Sequence, residues 1–265
     1  MIIDFHAHVF PDKIARKTVD FLAQKSNNVP AFDGTVEGLK SQMKTAGVTL
    51  AVSLPVLTKP EQFDSVLSFA KSINQTEKNI ISFAGIHPLC DDIEGKLQQV
   101  KDAGIKGVKI HPDYQGVYID DERYIKIIKT CKELDLIVVT HAGVDCGFRD
   151  SPVMCPPDRI RKVIDKVGHS KFVLAHLGSS EMVDEFLSLV AGTNVYIDTA
   201  YVLKYITKEQ FDKILKKHGE DKILFATDIP WSDYLGDLEI IKSFVTSDKT
   251  LDKILYKNAL KLLNL

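Results

Sequence analysis

Short apolar runs alternate along this chain with segments whose apolar positions recur every three or four residues. The runs occupy residues 2–5, 49–56, 80–86, 107–111, 136–140, 172–176, 194–198 and 223–227, eight in all. Their length and near-continuous apolar character predict strands buried on both faces. Helix-period segments lie between them, at 12–24, 36–46, 60–78, 92–103, 124–134, 157–167, 181–191 and 208–217. In 124–134, for example, Tyr124, Ile125, Ile127, Ile128, Cys131 and Leu134 share one face and charges take the other. Buried strands alternating with amphipathic helices predict a parallel sheet covered by helices. Eight such units with no linker predict a (β/α)₈ barrel, one domain over residues 1–265. An open doubly wound sheet is the alternative, but it wants a glycine-rich turn after the first strand. His6-Ala7-His8-Val9-Phe10-Pro11 stands there instead.

Two loops exceed what a minimal barrel needs. Residues 26–35 are polar and contain Pro30 and Gly34; residues 142–157 contain Gly143, Gly147, Pro152, Pro156 and Pro157. Both are expected on the face that carries function in this fold.

Composition narrows the partners more than the architecture. The 265 residues carry 36 acidic and 34 basic side chains, a formal net charge of -2. No basic block suggests nucleic acid or anionic lipid, so a small-molecule substrate is expected. No apolar run approaches the roughly 20 residues of a membrane span. The His motif also begins before any signal peptide would fit, so a cytoplasmic protein is expected. Cys90, Cys131, Cys146 and Cys155 lie far apart with no C-x-x-C pair, which predicts reduced thiols with packing roles.

The candidate chemistry collects at the ends of the apolar runs. His6 and His8 close the first run at a spacing of two, which on a strand aims both imidazoles to one side, as a Zn-type ion requires. Asp4 is expected on that same face, one layer deeper, as a hydrogen-bonded support. His87 follows the third run, Lys109 and His111 close the fourth, and His141, His176 and Asp228 end or follow the fifth, sixth and eighth. A barrel gathers these ends around one mouth. His6, His8, His141 and Asp228 are the candidate metal ligands, and His176 is expected to act directly in the site. Lys109 and His111 are expected to line the pocket, with His87 a weaker candidate. His169 and His218 sit near helix ends and are expected to face solvent or to cap.

With these residues in view, the chain resembles the amidohydrolase superfamily, and within it the amidohydrolase-2 branch of metal-dependent hydrolases and aminocarboxymuconate-semialdehyde decarboxylase-type enzymes. The opening Ile-Asp-Phe-His-Ala-His, the His141 and His176 strands, Ile-Asp-Thr at 197–199, Phe-Ala-Thr-Asp-Ile-Pro at 225–230 and the closing Ile-Leu-Tyr-Lys-Asn-Ala-Leu-Lys-Leu-Leu carry the likeness. The resemblance implies His6, His8, His141 and Asp228 on the metal and His176 acting on water or substrate. It implies one divalent ion, Zn²⁺ first with Mn²⁺, Fe²⁺ or Co²⁺ as alternatives; a second ion bridged by a carbamylated Lys109 is the less favoured form.

The expected reaction is hydrolysis of an amide, ester or lactone by a metal-activated water. Asp228 would accept the proton, His176 would polarise the scissile bond, and Lys109, His111 and Arg149 would hold the substrate. Non-oxidative decarboxylation of a small carboxylated substrate is the alternative. Gly-Ile-His-Pro at 85–88 also resembles TatD-type deoxyribonucleases, but the Glu these show near strand four is missing here; an inert metal-binding barrel ranks lower still. A homodimer is the assembly the family likeness implies.

Overall fold

The apolar runs form β1 (Ile3–Ala7), β2 (Leu50–Ser53), β3 (Ile80–Ser82), β4 (Ala84–Gly85), β5 (Gly107–Ile110), β6 (Ile137–Thr140), β7 (Phe172–Leu174), β8 (Tyr196–Asp198) and β9 (Ile223–Leu224). The structure is a computed structural model that describes residues 1–265. Every pairing is parallel, in the orders β1-β2-β3 and β4 through β9. The run at 80–86 is broken at Phe83, whose N–H donates to the Ser53 carbonyl at 2.9 Å. Its first half therefore pairs with β2 and its second half with β5, so β3 and β4 are two parts of one barrel strand. The ring closes where the Phe5 N–H donates to the Phe225 carbonyl at 2.9 Å and the Asp228 N–H to the His6 carbonyl at 2.8 Å. Eight parallel strands thus form a closed barrel, as the alternation of elements predicts.

Helices cover the outside: α1 (Asp12–Ser26), α2 (Val36–Ala46), α3 (Phe63–Thr76), α4 (Ile93–Asp102), α5 (Pro112–Gln115), α6 (Glu122–Glu133), α7 (Pro157–Val167), α8 (Val183–Leu189) and α9 (Lys208–His218). Local chemistry sets their limits. Thr35 caps α2 by accepting the Gly38 N–H, and Gly47 ends it in the left-handed region at φ 71°. The short α5 and three further helices, α10 (Tyr234–Phe244), α11 (Asp248–Asp252) and α12 (Asn258–Leu263), are not foreseen by the periodicity. In α10 the stripe is blurred because Leu235 is exposed while Asp237 is buried. Leu262 and Leu263 of α12 join the cluster that fills the barrel interior with Ile3, Phe5, Val139 and Val173. No helix is long and apolar enough to cross a membrane.

One local irregularity decides the site. The β1–β2 register shifts between Asp4 and Ala7. Ile3 and Phe5 point into the barrel with Val139 and Val173, yet Ala7 belongs to the outer cluster with Leu39 and Met43. Strict alternation would keep Ala7 inside; the bulge turns His6 inward directly after Phe5. Asp4 accordingly faces away from the two histidines, a correction to the single face that the i, i+2 spacing suggests. Its Oδ2 accepts the Thr227 hydroxyl at 2.8 Å and its Oδ1 accepts the Thr227 N–H at 3.0 Å, so it stitches β1 to the chain after β9. Burial pushes its carboxyl up to about 7 against the pull of these donors.

Two other histidines also differ from expectation. His169 and His218 are buried, with Nε2 against the Leu136 carbonyl at 2.8 Å and the Val195 carbonyl at 3.1 Å. They tie helix ends to strand starts. The four cysteines are free thiols, three of them buried.

Candidate metal centre

The strand ends converge on a cavity of about 740 Å³. His6, His8, Lys109, His141, His176 and Asp228 line it, together with His111 and Asp145. His6, His8 and Asp228 each offer a ligand atom, and these atoms all lie within 4.8 Å of one another. Asp228 Oδ1 is 2.9 Å from His8 Nε2 and 3.3 Å from His6 Nε2. A tetrahedral ion with ligand bonds near 2.1 Å would hold its donors about 3.4 Å apart. The three groups therefore fit a divalent ion.

The other nitrogen of His6 is already used. Its Nδ1 lies 3.0 Å from Asp198 Oδ2, while Asp198 Oδ1 accepts the His176 N–H at 3.0 Å and the Ala200 N–H at 3.1 Å. An ionised Asp198 accepts only, so His6 Nδ1 carries the proton and Nε2 presents a lone pair to Asp228. Burial raises Asp198, opposed by the Lys109 charge and the two backbone N–H groups. Burial lowers His6, and the neighbouring Lys109 charge lowers it further, which keeps the ring neutral. Lys109, on β5, is itself fully buried with Nζ 3.2 Å from His6 Nε2, and desolvation lowers it to about 8.

His141 stands one ring away from this trio. His176 Nδ1 lies 3.0 Å from the Ala200 carbonyl and its Nε2 lies 2.9 Å from His141 Nδ1. A carbonyl only accepts, so His176 Nδ1 donates and its Nε2 accepts from His141 Nδ1. That leaves His141 Nε2 as a lone pair, and it has no partner; Asp113 Oδ2, 3.9 Å away, has none either. Moving one proton would give these two atoms complementary polarity, donor facing acceptor, although at 3.9 Å they are not hydrogen-bonded in this structure. If His141 Nδ1 gives up its proton to serve as a ligand, Nε2 becomes the N–H that faces the Asp113 carboxylate.

A second group, His111, His141 and Asp145, is also compact enough for an ion. Its ring geometry argues otherwise. The His111 and His141 rings stack at 4.4 Å between centroids with planes 13° apart. An imidazole ligates along a lone pair in its own plane, and two stacked parallel planes share no such point. His111 Nε2 instead lies 3.3 Å from Asp145 Oδ2. Burial alone would raise Asp145, but the His111 hydrogen bond and neighbouring His charges hold it well below the usual carboxylate range.

Two expected substrate contacts lie elsewhere. His87 does not line the cavity; its Nδ1 accepts the Leu89 N–H at 3.1 Å, the structural role of a His-Pro turn. Arg149 is exposed and forms a bidentate pair with Glu181, its Nη2 2.5 Å from Oε1. Asp198, Asp113 and Asp145 are site residues that sequence reasoning gave no role. Asp198 had a usable signal, since it closes an apolar run as His176 does, and Asp145 lies in the 142–157 loop expected on the functional face; Asp113 had none.

A family model described as amidohydrolase matches residues 3–265. No curated protein matches the chain. Among solved structures, an uncharacterized TIM-barrel protein from Bordetella bronchiseptica is similar with TM-score 0.77 at 16% identity, over 99% of this chain and 98% of that one. A dihydroxybenzoic acid decarboxylase from Polaromonas sp., with bound manganese and the inhibitor 2-nitroresorcinol, gives TM-score 0.74 at 16% identity over 100% and 97% of the two chains. A probable 2-pyrone-4,6-dicarboxylic acid hydrolase from Acinetobacter baumannii with citric acid bound gives 0.71 at 17% over 100% and 99%. At these identities the likeness establishes the fold.

Proposed function

The chain belongs to the amidohydrolase family, and from that premise we propose that it is a metal-dependent hydrolase acting on an amide, ester or lactone bond of a small molecule. The observation that carries the reading is the His6–Asp198 pair, which fixes the ring tautomer and aims a lone pair at the His8–Asp228 contact. His6, His8 and Asp228 would hold one divalent ion; His141, whose Nδ1 is on His176 in this structure, would join them only by giving up that contact together with the Nδ1 proton. Two or three imidazoles with one carboxylate suit Zn²⁺, Mn²⁺ or Fe²⁺. An ion held there supplies the positive charge that makes water a nucleophile near neutral pH.

The remaining steps belong to side chains. Asp228 keeps a second carboxylate oxygen free to take a proton from water and return it to the leaving group. Once His141 Nδ1 is engaged elsewhere, His176 Nε2 is released; burial lowers His176 to about 4, so the ring works as a neutral hydrogen-bonding group held in place by the Ala200 carbonyl. Lys109 offers the one buried ammonium in reach of a substrate oxygen.

That same ammonium favours a second reading, decarboxylation, because it is placed to hold a carboxylate beside the ion. Structural relatives carrying decarboxylase and hydrolase names are consistent with either outcome on this scaffold. Release of CO₂ from carboxylated aromatics, measured beside hydrolysis of esters, lactones and amides, separates the two. For the centre itself, His6→Ala, His8→Ala and Asp228→Ala are expected to lose bound metal and turnover together, whereas His176→Gln keeps the metal and slows the rate. Full metal content in His6→Ala would overturn the assignment.

A further inference from the structure

The cavity is far larger than its polar end requires. About 150 Å³ suffices to hold a benzene ring, and this cavity measures about 740 Å³. Away from that end, α1 and α3 supply much of the lining. A helix on a barrel needs one apolar stripe, which in α1 is Ala15, Val19 and Ala23. Yet α1 carries a second stripe at helical spacing, Ile14, Thr18, Phe21 and Leu22, and this one lines the cavity. Across from it, Val66 and Phe69 of α3 line the cavity while Phe63, Ala70 and Ile73 pack inward. Phe21 and Ile14 remain 63% and 50% exposed, apolar surface that the fold itself does not use. On this α1 and α3 wall the charged lining residue is Lys25, at the end of α1, where its Nζ lies 3.5 Å from the centroid of the Phe148 ring.

We propose that the substrate is an amphiphile, with a reacting polar head at the His6–His8–Asp228 end and a hydrocarbon body longer than one ring lying between α1 and α3. The position of the head rests on the metal-centre reading above; the apolar body does not. The two parts are tested separately. Trp231, the single tryptophan of the chain, lines the cavity and reports binding by its fluorescence.

In EDTA-treated protein, primary alcohols from butanol to octanol are expected to bind about two- to fourfold more tightly per added methylene, four being full burial of a CH₂. Phe21→Ser and Phe69→Asn are expected to flatten that dependence while leaving butanol binding within about twofold. An affinity independent of chain length overturns the proposal, as does an unchanged slope in both variants, including the case in which Phe21→Ser alters only the oligomeric state. In Zn²⁺-loaded protein, octanohydroxamate is expected to bind at least tenfold more tightly than both octanol and acetohydroxamate. Should it exceed acetohydroxamate but not octanol, the metal reading falls and the apolar wall stands.

Discussion

Asp198→Asn tests the tautomer argument with almost no change of shape. Asp198 is fully buried and serves three groups: the His176 and Ala200 N–H donors on Oδ1, and His6 Nδ1 on Oδ2. An asparagine keeps Oδ1 for the two backbone donors and turns an NH₂ toward His6. The Nδ1 of His6 must then accept, and the ring proton moves to Nε2, where the lone pair for the ion should be. Loss of such an outer partner typically costs 10- to 100-fold in metal affinity, about 1.4–2.7 kcal/mol. All three hydrogen bonds survive, the two backbone ones unchanged and the His6 one in reversed polarity, so unfolding should shift by no more than about 1 kcal/mol. Asp198→Ala is the contrasting change: it strands three buried donors at about 1–3 kcal/mol each and is expected to unfold readily. Competition with a chromogenic chelator gives the Zn²⁺ affinity, and imidazole ¹⁵N shifts of metal-free protein show which His6 nitrogen is protonated. An Asp198→Asn protein that binds Zn²⁺ within twofold of wild type, or that keeps the proton on Nδ1, would refute the reasoning.

Three further outcomes follow from other parts of the molecule. His218 is lowered to about 4 by burial, below the ordinary value near 6.5; between those limits the unfolded chain binds a proton that the folded chain excludes, so stability falls as pH falls. His218→Gln should remove a loss on the order of 3 kcal/mol by pH 4, and parallel urea-midpoint profiles for the two proteins would contradict this. Gly143 sits at φ 84°, and a Cβ there would lie 2.3 Å from the Ser180 backbone N. Gly143→Ala should therefore cost at least about 1–2 kcal/mol and loosen the 142–157 loop, seen as faster amide exchange; an unchanged melting temperature would count against it. Arg149→Ala removes an exposed ion pair with Glu181, so stability should change by less than about 1 kcal/mol and turnover by less than twofold, whereas a tenfold rate loss would restore Arg149 to the substrate site.

How far the sequence could be read depended on the range of each signal. Barrel strands announce themselves because burial on both faces leaves short apolar runs, and the eight runs at 2–5 through 223–227 all lead to barrel strands. The C-terminal helices escaped because α10 buries Asp237 and exposes Leu235, which blurs the apolar stripe. Asp4 was placed on the wrong face for a different reason. Alternation by two assumes an unbroken pleat, and the bulge between Asp4 and Ala7 depends on pairing with β2, a partner more than 40 residues away. The separation of His141 from the His6–His8–Asp228 trio is likewise a three-dimensional fact, set by hydrogen bonds to His176 and stacking on His111.

The backbone at the mouth shows why strand-end spacing alone could not give the geometry. His176 and Asp228, which follow β7 and β9, have φ of 61° and 65°, and Tyr201 after β8 has 66°. For residues with a Cβ this region costs roughly 1–2 kcal/mol each. The cost is met locally by bonds that an ordinary strand continuation would forfeit. The Asp228 N–H reaches the His6 carbonyl at 2.8 Å, the His176 N–H reaches Asp198 at 3.0 Å, and the Tyr201 N–H reaches the Thr227 carbonyl at 3.1 Å. Each left-handed residue thus turns the chain sharply off the barrel and hands its N–H to a neighbouring strand end. Because these bonds join strands β1, β7, β8 and β9 to one another, the positions of His6, His176 and Asp228 are set by closure of the ring rather than by any one strand. A substitution that relieves the strain locally, such as Asp228→Gly, would therefore keep the seam while removing the carboxylate, separating the fold's need for that turn from the site's need for the charge.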